Sequence, residues 1–422
     1  MMRTLTILLG ALVLAGCVSQ TVKSTSVPAL EQPRQLVPEN EVLDVGVAIL
    51  DPGIDNLTDD DQVYPEIRRA EATFIARELA QVLEGVGAWG AVRVVPDDKQ
   101  FTDLLVTGRI AHSDGERLAL AVIVTDATGA VWIDKTYEGT TSRYAYDQRA
   151  ATNQDPFLLV YRLIANDMLD KFNASTSKER VTIRQVAELR FARAFAENAF
   201  ADYLQEDKDG EYQLRRLPAE DDPMLERVRN LRQRNYVFVD TLQGHYDGFS
   251  EEMYTPYQEW RKLSYDEVIA QRELQQEANQ RLIAGAAAVV AGIAAQGSSS
   301  SYARTAGAVG IAGGGYLLKS GLEKRAESSI HSLAIEELGQ SLQAEITPRV
   351  IELEDRTVRL SGSAEDQYSQ WRELMADLYA AEMGELQREE PEMRGSSTGG
   401  LTSPESAQTE PDSSVDGLNS GQ

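Results

Sequence analysis

The chain has a single cysteine in 422 residues, Cys17, and this cysteine follows a short apolar stretch at the N-terminus. A chain with one cysteine cannot form an internal disulfide or build a zinc site from thiolates. Its stability must therefore come from packing, and 42% of its residues are hydrophobic. A chain of this length has room for about two to four domains.

Residues 1–17 have the arrangement of a secretory leader. Arg3 precedes an apolar run from Leu5 to Val13, shorter than the about 20 residues that a membrane-spanning helix needs. The segment Leu14-Ala15-Gly16-Cys17 resembles the lipobox of bacterial lipoproteins. This resemblance implies a signal peptide over 1–16 and lipidation of Cys17. In enterobacterial lipoproteins an aspartate directly after the cysteine retains the protein in the inner membrane. None follows Cys17, so the resemblance implies a lipid-anchored protein of the outer membrane that faces the periplasm.

The chain is strongly acidic. Asp and Glu number 67 against 41 Lys and Arg, which gives a formal net charge of −26. Phosphate groups are bound through basic surfaces, so this balance argues against nucleic acid, or an anionic lipid surface, as a general electrostatic partner. The expected partners are the membrane, reached through the N-terminal lipid, and other envelope proteins, with homo-oligomerisation as one alternative.

The first third of the mature chain predicts a tether followed by an α/β domain. Residues 17–40 mix Ser, Thr, Pro and Gln without apolar periodicity, which is typical of a tether. The α/β partner-binding domain is predicted over 41–174. Its strands are expected near 43–50, 91–95, 104–112, 118–126 and 130–139, and its helices near 65–84 and 156–172. Short turns join the last three strands, which predicts a β-meander with a helix on one face.

A family resemblance accompanies this pattern. The run from Asp103 to Ile110, followed by Thr125–Gly129 and Val131-Trp132, resembles the small α/β domain of the curli-pore lipoprotein and of auxiliary lipoproteins of envelope transporters. The likeness covers about residues 40–172 and consists of strands and turns. It implies a domain that mediates assembly and partner contacts.

Helical periodicity dominates the middle of the chain. Residues 175–254 predict a helical connector, with one helix from about Ser177 to Leu204 and a charged turn over 205–223. Thr255 and Pro256 have the pattern of an N-cap followed by proline at the first helical position. A long helix to about Ala295 and a second over about 305–346 predict an antiparallel helical hairpin.

The tip of the predicted hairpin is apolar and rich in small residues. Glycine or alanine recurs every fourth residue on each arm, which allows two helix backbones to approach closely. The predicted association surface consists of Ala284, Ala288, Gly292, Ala306, Gly310 and Gly314. Two interpretations remain open: a glycine zipper buried within the protein or an oligomer, and a tip that enters the membrane.

The C-terminal region predicts a small module and a tail. Residues 347–384 predict a β-hairpin followed by a helix, and 385–422 predict a disordered tail. Val358, Leu360 and Gly362 resemble part of a BON domain, a small envelope module associated with membranes. The fold class predicted for the whole chain is α+β: an N-terminal α/β sandwich with a β-meander, a long antiparallel helical hairpin, a β-hairpin/helix module and a disordered tail.

Motifs of enzyme chemistry are missing from the sequence. His112, His245 and His331 lie far apart, and no metal-ligand spacing or nucleophile motif is present. We therefore predict no catalytic residue, cofactor or metal. The predicted function is that of a non-enzymatic envelope lipoprotein, a structural or accessory component of an outer-membrane assembly for secretion, transport or a surface appendage. The alternatives are an oligomeric outer-membrane channel with membrane-inserted hairpin tips and an unrecognised envelope enzyme.

Overall fold

A computed structural model describes residues 20–24, 26–55, 64–96, 101–146, 154–294, 349–352 and 357–394, and the single positions 333, 336, 337 and 340. Among these, 20–24, 271, 274, 275, 277–294, 349–352, 357 and 382–394 are described by their backbone alone. The chain divides into two compact units, Met1–Arg372 and Glu373–Gln422. The α+β fold class is confirmed.

The first unit contains a six-stranded mixed sheet, whose order is β1-β6-β5-β4-β2-β3. The meander β4–β5–β6 is antiparallel as predicted, and β2 pairs in parallel with both β3 and β4. On β5, Leu120, Val122 and Val124 are buried, whereas Ile123 is 42% exposed on the opposite face. One face of the sheet therefore carries the core. The strands are β1 (Gln20–Ser24), β2 (Val45–Ala48), β3 (Val92–Val95), β4 (Leu104–Ser113), β5 (Arg117–Asp126) and β6 (Val131–Thr140).

Two helices cover the core face, α1 (Pro65–Val86) and α2 (Leu158–Ala174). Helix α1 packs on β2 and β3, and α2 packs on β6 and on α1. Both follow the apolar periodicity of the sequence, with Phe74, Leu79 and Ile164 fully buried. Each large apolar side chain buried in this way contributes about 1.5–3 kcal/mol.

The tether predicted over 17–40 is wrong for its described part. Strand β1 pairs in parallel with β6, and Gln20 lies opposite Lys135. The next segment lies along α2, where Arg162 and Asn166 donate hydrogen bonds to the carbonyls of Pro28 and Ala29. Because backbone groups make these contacts, the segment needs no apolar periodicity, and the sequence pattern does not reveal it.

The predicted helical connector contains strands as well as helices. Helix α3 (Ser177–Phe195) begins at a capping box between Thr176 and Glu179 and ends earlier than predicted. A short helix, α4 (Glu197–Phe200), leads into a β-hairpin of β7 (Leu204–Glu206) and β8 (Tyr212–Leu214). The expected charged turn is therefore a hairpin, and its strands are too short and polar to show an alternating pattern.

Helix α5 spans Pro223–Ala294, a run of 72 residues, and is about 108 Å long at 1.5 Å per residue. The start predicted at Thr255-Pro256 is wrong, because Pro256 lies inside the helix. An interior proline removes one backbone hydrogen bond, and the buried Met253 and Tyr257 on either side keep the helix continuous by their packing. The second arm of the predicted hairpin lies outside the described residues, apart from four single positions. No helix in the described ranges is long and apolar enough to cross a membrane.

The predicted β-hairpin and helix near the C-terminus are confirmed. Strands β9 (Arg349–Glu352) and β10 (Thr357–Leu360) are antiparallel, and α6 (Ala364–Arg394) follows. Gly362 has φ 101°, which fits the turn expected at this glycine. Trp371 stacks on Phe238 of α5 with ring centroids 5.0 Å apart. Helix α6 continues past residue 385, where the tail is predicted to begin, and residues 395–422 lie outside the described part.

Candidate functional site

Polar contacts along much of its length join helix α5 to the sheet domain, the name used here for strands β1–β6 with helices α1, α2 and α3. Near its start, Arg229 pairs with Glu188 of α3 at 2.7 Å. Farther along, Asp247 pairs with Arg77 of α1, and Arg272 pairs with Glu116 in the β4–β5 turn. From residue 229 to residue 272 these contacts cover about 65 Å of helix. The helix is therefore held as a fixed rod over this stretch.

A further contact of α5, made by Gln243, protects the edge of the sheet. Strand β3 is an edge strand, and such edges expose unpaired backbone groups. The side-chain amide of Gln243 accepts from the Val94 N–H at 2.8 Å and donates to the Val94 carbonyl at 2.9 Å. Next to it, Arg93 Nε donates to Asp240 at 2.5 Å. A glutamine of α5 thus takes the place of a neighbouring strand.

A buried ion pair lies at the centre of the contact. Arg261 Nη1 donates to Asp155 Oδ2 at 2.7 Å, and the two side chains are 0% and 1% exposed. The guanidinium lies over the rings of Tyr257 and Phe157, at 3.9 and 4.9 Å from their centroids. Burial opposes its charge, but the nearby Asp155 carboxylate raises the pKa of Arg261 above its usual value. The Arg261 guanidinium therefore keeps its positive charge although it is fully enclosed.

A second buried carboxylate, Glu71 of α1, links three elements. Glu71 Oε1 accepts from the Ser113 hydroxyl at 2.5 Å and from the Tyr257 hydroxyl of α5. Arg68 Nε lies 3.4 Å from Glu71 Oε2, and Arg68 Nη2 donates to the Ser113 carbonyl at 3.1 Å. Helix α1, the end of β4 and helix α5 are therefore held together by one buried group.

The β4–β5 turn contacts the backbone of α5 directly. A Cβ atom on Gly115 would lie closer than 3.0 Å to the Arg261 carbonyl oxygen and the Tyr265 nitrogen. The Tyr146 hydroxyl donates to the Gly115 carbonyl at 2.7 Å and fixes the turn from the other side. We call the whole set the α5 junction; its members are Glu71, Ser113, Gly115, Tyr146, Asp155, Tyr257 and Arg261.

The chemistry of the α5 junction is that of a structural connection. Its charged groups are enclosed, so a substrate cannot reach them without separation of α5 from the sheet domain. Among the buried polar atoms here, Gln258 Oε1 forms no hydrogen bond within the described structure. Within the described ranges no group of three or more His, Cys, Asp or Glu residues is placed to hold a metal ion.

The structure places only part of the predicted association surface. Ala284, Ala288 and Gly292 lie on the backbone of α5, and their spacing of four puts them on one helix face. Cys17, Ala306, Gly310 and Gly314 lie outside the described residues. The α5 junction is not predicted from the sequence, because its charged partners are far apart in the chain. A lone charge inside an apolar stripe, as at Glu71 or Arg261, is the signal that could have indicated it.

Comparison with known proteins finds no matching protein-family model and no matching curated protein. The resemblances to the curli-pore lipoprotein, to transporter-auxiliary lipoproteins and to BON domains stay predictions, as does the lipobox at Cys17.

Glu78 of α1 gives the region a pH response. Burial raises the pKa of Glu78 to about 7, and the negative charge of Asp155 adds to the rise. An unfolded chain releases this proton near the ordinary value of 4.5, so the folded protein binds more protons between the two values. The contribution of Glu78 to the stability is therefore expected to fall as the pH rises from about 4.5 to about 7.

Glu78→Gln is expected to remove this part of the pH dependence. At pH 8 the variant should exceed the wild type by up to about 3 kcal/mol in the free energy of unfolding, and at pH 4 the two should coincide. Urea unfolding at both pH values measures the difference. Glu66→Gln, on the same helix with a side chain that is 46% exposed, is the matched control and should behave as wild type. A Glu78→Gln variant with unchanged pH dependence contradicts the prediction.

Proposed function

We propose that this protein is a non-enzymatic lipoprotein of the bacterial outer membrane and serves as a structural or accessory component of an envelope assembly. In this proposal the lipid on Cys17 holds the chain at the periplasmic face of the membrane. The sheet domain binds partner proteins, and helix α5 is a rigid arm that carries a contact surface for the assembly. No catalytic step, cofactor or metal belongs to the proposal.

The observation that supports this proposal most is the continuity of α5. Its described polar contacts with the sheet domain end at Arg272, and its backbone continues as helix to Ala294. These last 22 residues, 273–294, are about 33 Å long, and we call them the distal segment of α5. Isolated helices gain little stability from propensity alone. The enclosed ion pair and the edge-strand contact supply a fixed base from which the distal segment can be presented.

The distal segment has the composition of a helix contact. Ala284, Ala288 and Gly292 recur at a spacing of four, so one face of the helix carries little side-chain volume. Such a face lets a second helix approach closely. We therefore place the assembly contact of α5 on this face, with a second copy of the chain or another envelope protein as its partner.

Ala288→Leu is the variant that tests the contact. A leucine on this face keeps the backbones apart and should weaken association at least about tenfold, which corresponds to about 1.4 kcal/mol. Two measurements are made on the full-length protein. Its mass after extraction in mild detergent is measured by size exclusion with light scattering, and its adducts are detected after chemical cross-linking in native membranes. The expected result is loss of the oligomer or of the cross-linked adduct.

Ala286→Leu is the matched control, because position 286 lies about 200° around the helix from position 288. It should keep the wild-type mass and adducts. Two results would count against the proposal: a wild-type protein that is monomeric and forms no adducts, or two leucine variants that behave alike.

A further inference from the structure

An open groove lies between the start of β6 and the junction of α2 with α3. Its volume is about 640 Å³. Its lining is mainly apolar and includes two exposed lysines; the residues that matter here are Val131, Trp132, Ala174, Ile183, Lys171 and Lys178. Val131 is 59% exposed, although it is the first residue of a strand. An exposed valine beside a tryptophan and lysines is the composition of a surface that meets lipid headgroups.

The charge of the groove differs from that of the chain. Its lining contains two lysines, one aspartate and one glutamate, so its net charge is zero, whereas the chain carries −26. Both carboxylates are engaged locally. Asp126 accepts from the Thr128 amide and from Trp132 Nε1, and Glu179 accepts from the Thr176 amide. The lysines are exposed, so the groove itself repels an anionic surface less than the net charge of the chain would suggest.

The start of the chain lies close to the same end of the sheet. Strand β1 begins at Gln20, three residues after Cys17, and three residues span at most about 11 Å. Gln20 lies opposite Lys135, which is four residues from Val131 along β6, or about 13 Å. A lipid on Cys17 therefore brings the bilayer surface within reach of the groove, because the connection is too short to let this end of the sheet move away.

We infer that this groove is a membrane-contact surface that rests on the headgroup region of the bilayer in which Cys17 is inserted, with Val131 and Trp132 at the interface and Lys171 and Lys178 at lipid phosphates. The inference rests on the lipid anchor of the proposed function. The proposed contact gives the protein a fixed orientation, with the beginning of β6 against the membrane, instead of free rotation about the lipid anchor.

Site-specific quenching tests this orientation. Cys17 is consumed by its lipid, so a cysteine introduced at Val131 is the only thiol available for a nitrobenzoxadiazole label. The full-length lipidated protein is reconstituted into vesicles of phosphatidylethanolamine and phosphatidylglycerol, with and without a headgroup-nitroxide lipid. Tyr144→Cys, at a position 79% exposed beyond the far end of β6, is the matched control. The label at 131 should be quenched several-fold more strongly than the label at 144.

The lysines are tested in the same assay. Lys171→Glu with Lys178→Glu, in the Val131→Cys background, should lower the quenching at 131. Ala130→Cys, in the same groove, gives an independent label position if Val131→Cys disturbs the strand. Equal quenching at 131 and 144 in protein that floats with the vesicles overturns the inference and leaves the lipid anchor intact. Protein that stays behind on flotation, with Cys17 unmodified by mass spectrometry, overturns the anchor and the inference together.

Discussion

Replacing Arg261 by methionine is expected to lower the free energy of unfolding by about 3–5 kcal/mol. Arg261 and Asp155 are almost fully enclosed, and their ion pair joins α5 to the segment that precedes α2. Methionine keeps much of the apolar volume and removes the positive charge. The Asp155 carboxylate would then stay buried with hydrogen bonds from Gln258 and from its local Phe157 amide, and with no cation. Urea unfolding, followed by tryptophan fluorescence, measures the loss.

Two controls separate the buried charge from a general effect of the substitution. In Arg261→Met/Asp155→Asn the uncompensated charge is gone, and the double variant should recover a large part of the loss. Arg272→Met removes the ion pair with Glu116. The Arg272 side chain is 49% exposed in the native protein, so the loss in the free energy of unfolding should stay below about 1 kcal/mol. An Arg261→Met variant as stable as Arg272→Met would show that the buried pair does not hold α5.

Gly115→Ala is expected to cost about 3 kcal/mol, the upper end of the usual range for overpacking. The added methyl group would lie too close to backbone atoms of Arg261 and Tyr265, and a backbone cannot turn away as a side chain can. The β4–β5 turn must therefore separate from α5, which weakens the Tyr146 hydrogen bond and the Glu116–Arg272 pair. Thermal and urea unfolding both report this change.

Gly244→Ala is the matched control for this substitution. Gly244 lies inside α5, and a Cβ there meets no atom within 4 Å. Because alanine is the better helix former, this variant should gain about 0.5–1 kcal/mol. Opposite signs for the two glycine variants are the expected result, and a neutral Gly115→Ala would show that the turn does not fit closely against α5.

The elements that the sequence predicts well are those with a local apolar period. The α1 helix, the β4–β5–β6 meander and the β9–β10 hairpin lie within a few residues of their predicted positions. In α1 and the meander the buried face has a spacing that is visible in the sequence, such as the alternation along β5. Local patterning is sufficient for such elements, because the same residues determine both the secondary structure and the packing.

The features that the sequence did not reveal depend on contacts between distant residues. Tyr257 and Glu71 are 186 positions apart, and Arg261 and Asp155 are 106 positions apart. Strand β1 is defined by its register with β6. Helix α5 begins before Pro256 because packing against other elements keeps the helix continuous at this proline. No local pattern contains these partners, so the candidate site could not be assembled before the fold was known.

The two proposals assign different parts of the chain to different surfaces. The groove beside Val131 is assigned to the membrane, and the distal face of α5 to a protein partner. The α5 junction connects the two surfaces, because it fixes α5 to the sheet domain before the helix extends beyond its contacts. Damage to the junction should therefore impair assembly even when the small-residue face itself is unchanged.

Photo-cross-linking from α5 in native membranes tests the central claim most directly. A benzophenone amino acid is incorporated at position 288 of the full-length protein, in place of Ala288, and in parallel at position 286 as the control. We predict that irradiation gives a discrete adduct from position 288, with a second copy of the chain or another envelope protein, and much less from position 286. No adduct from position 288, or equal adducts from both positions, would contradict the assignment of α5 as the arm that carries the assembly contact.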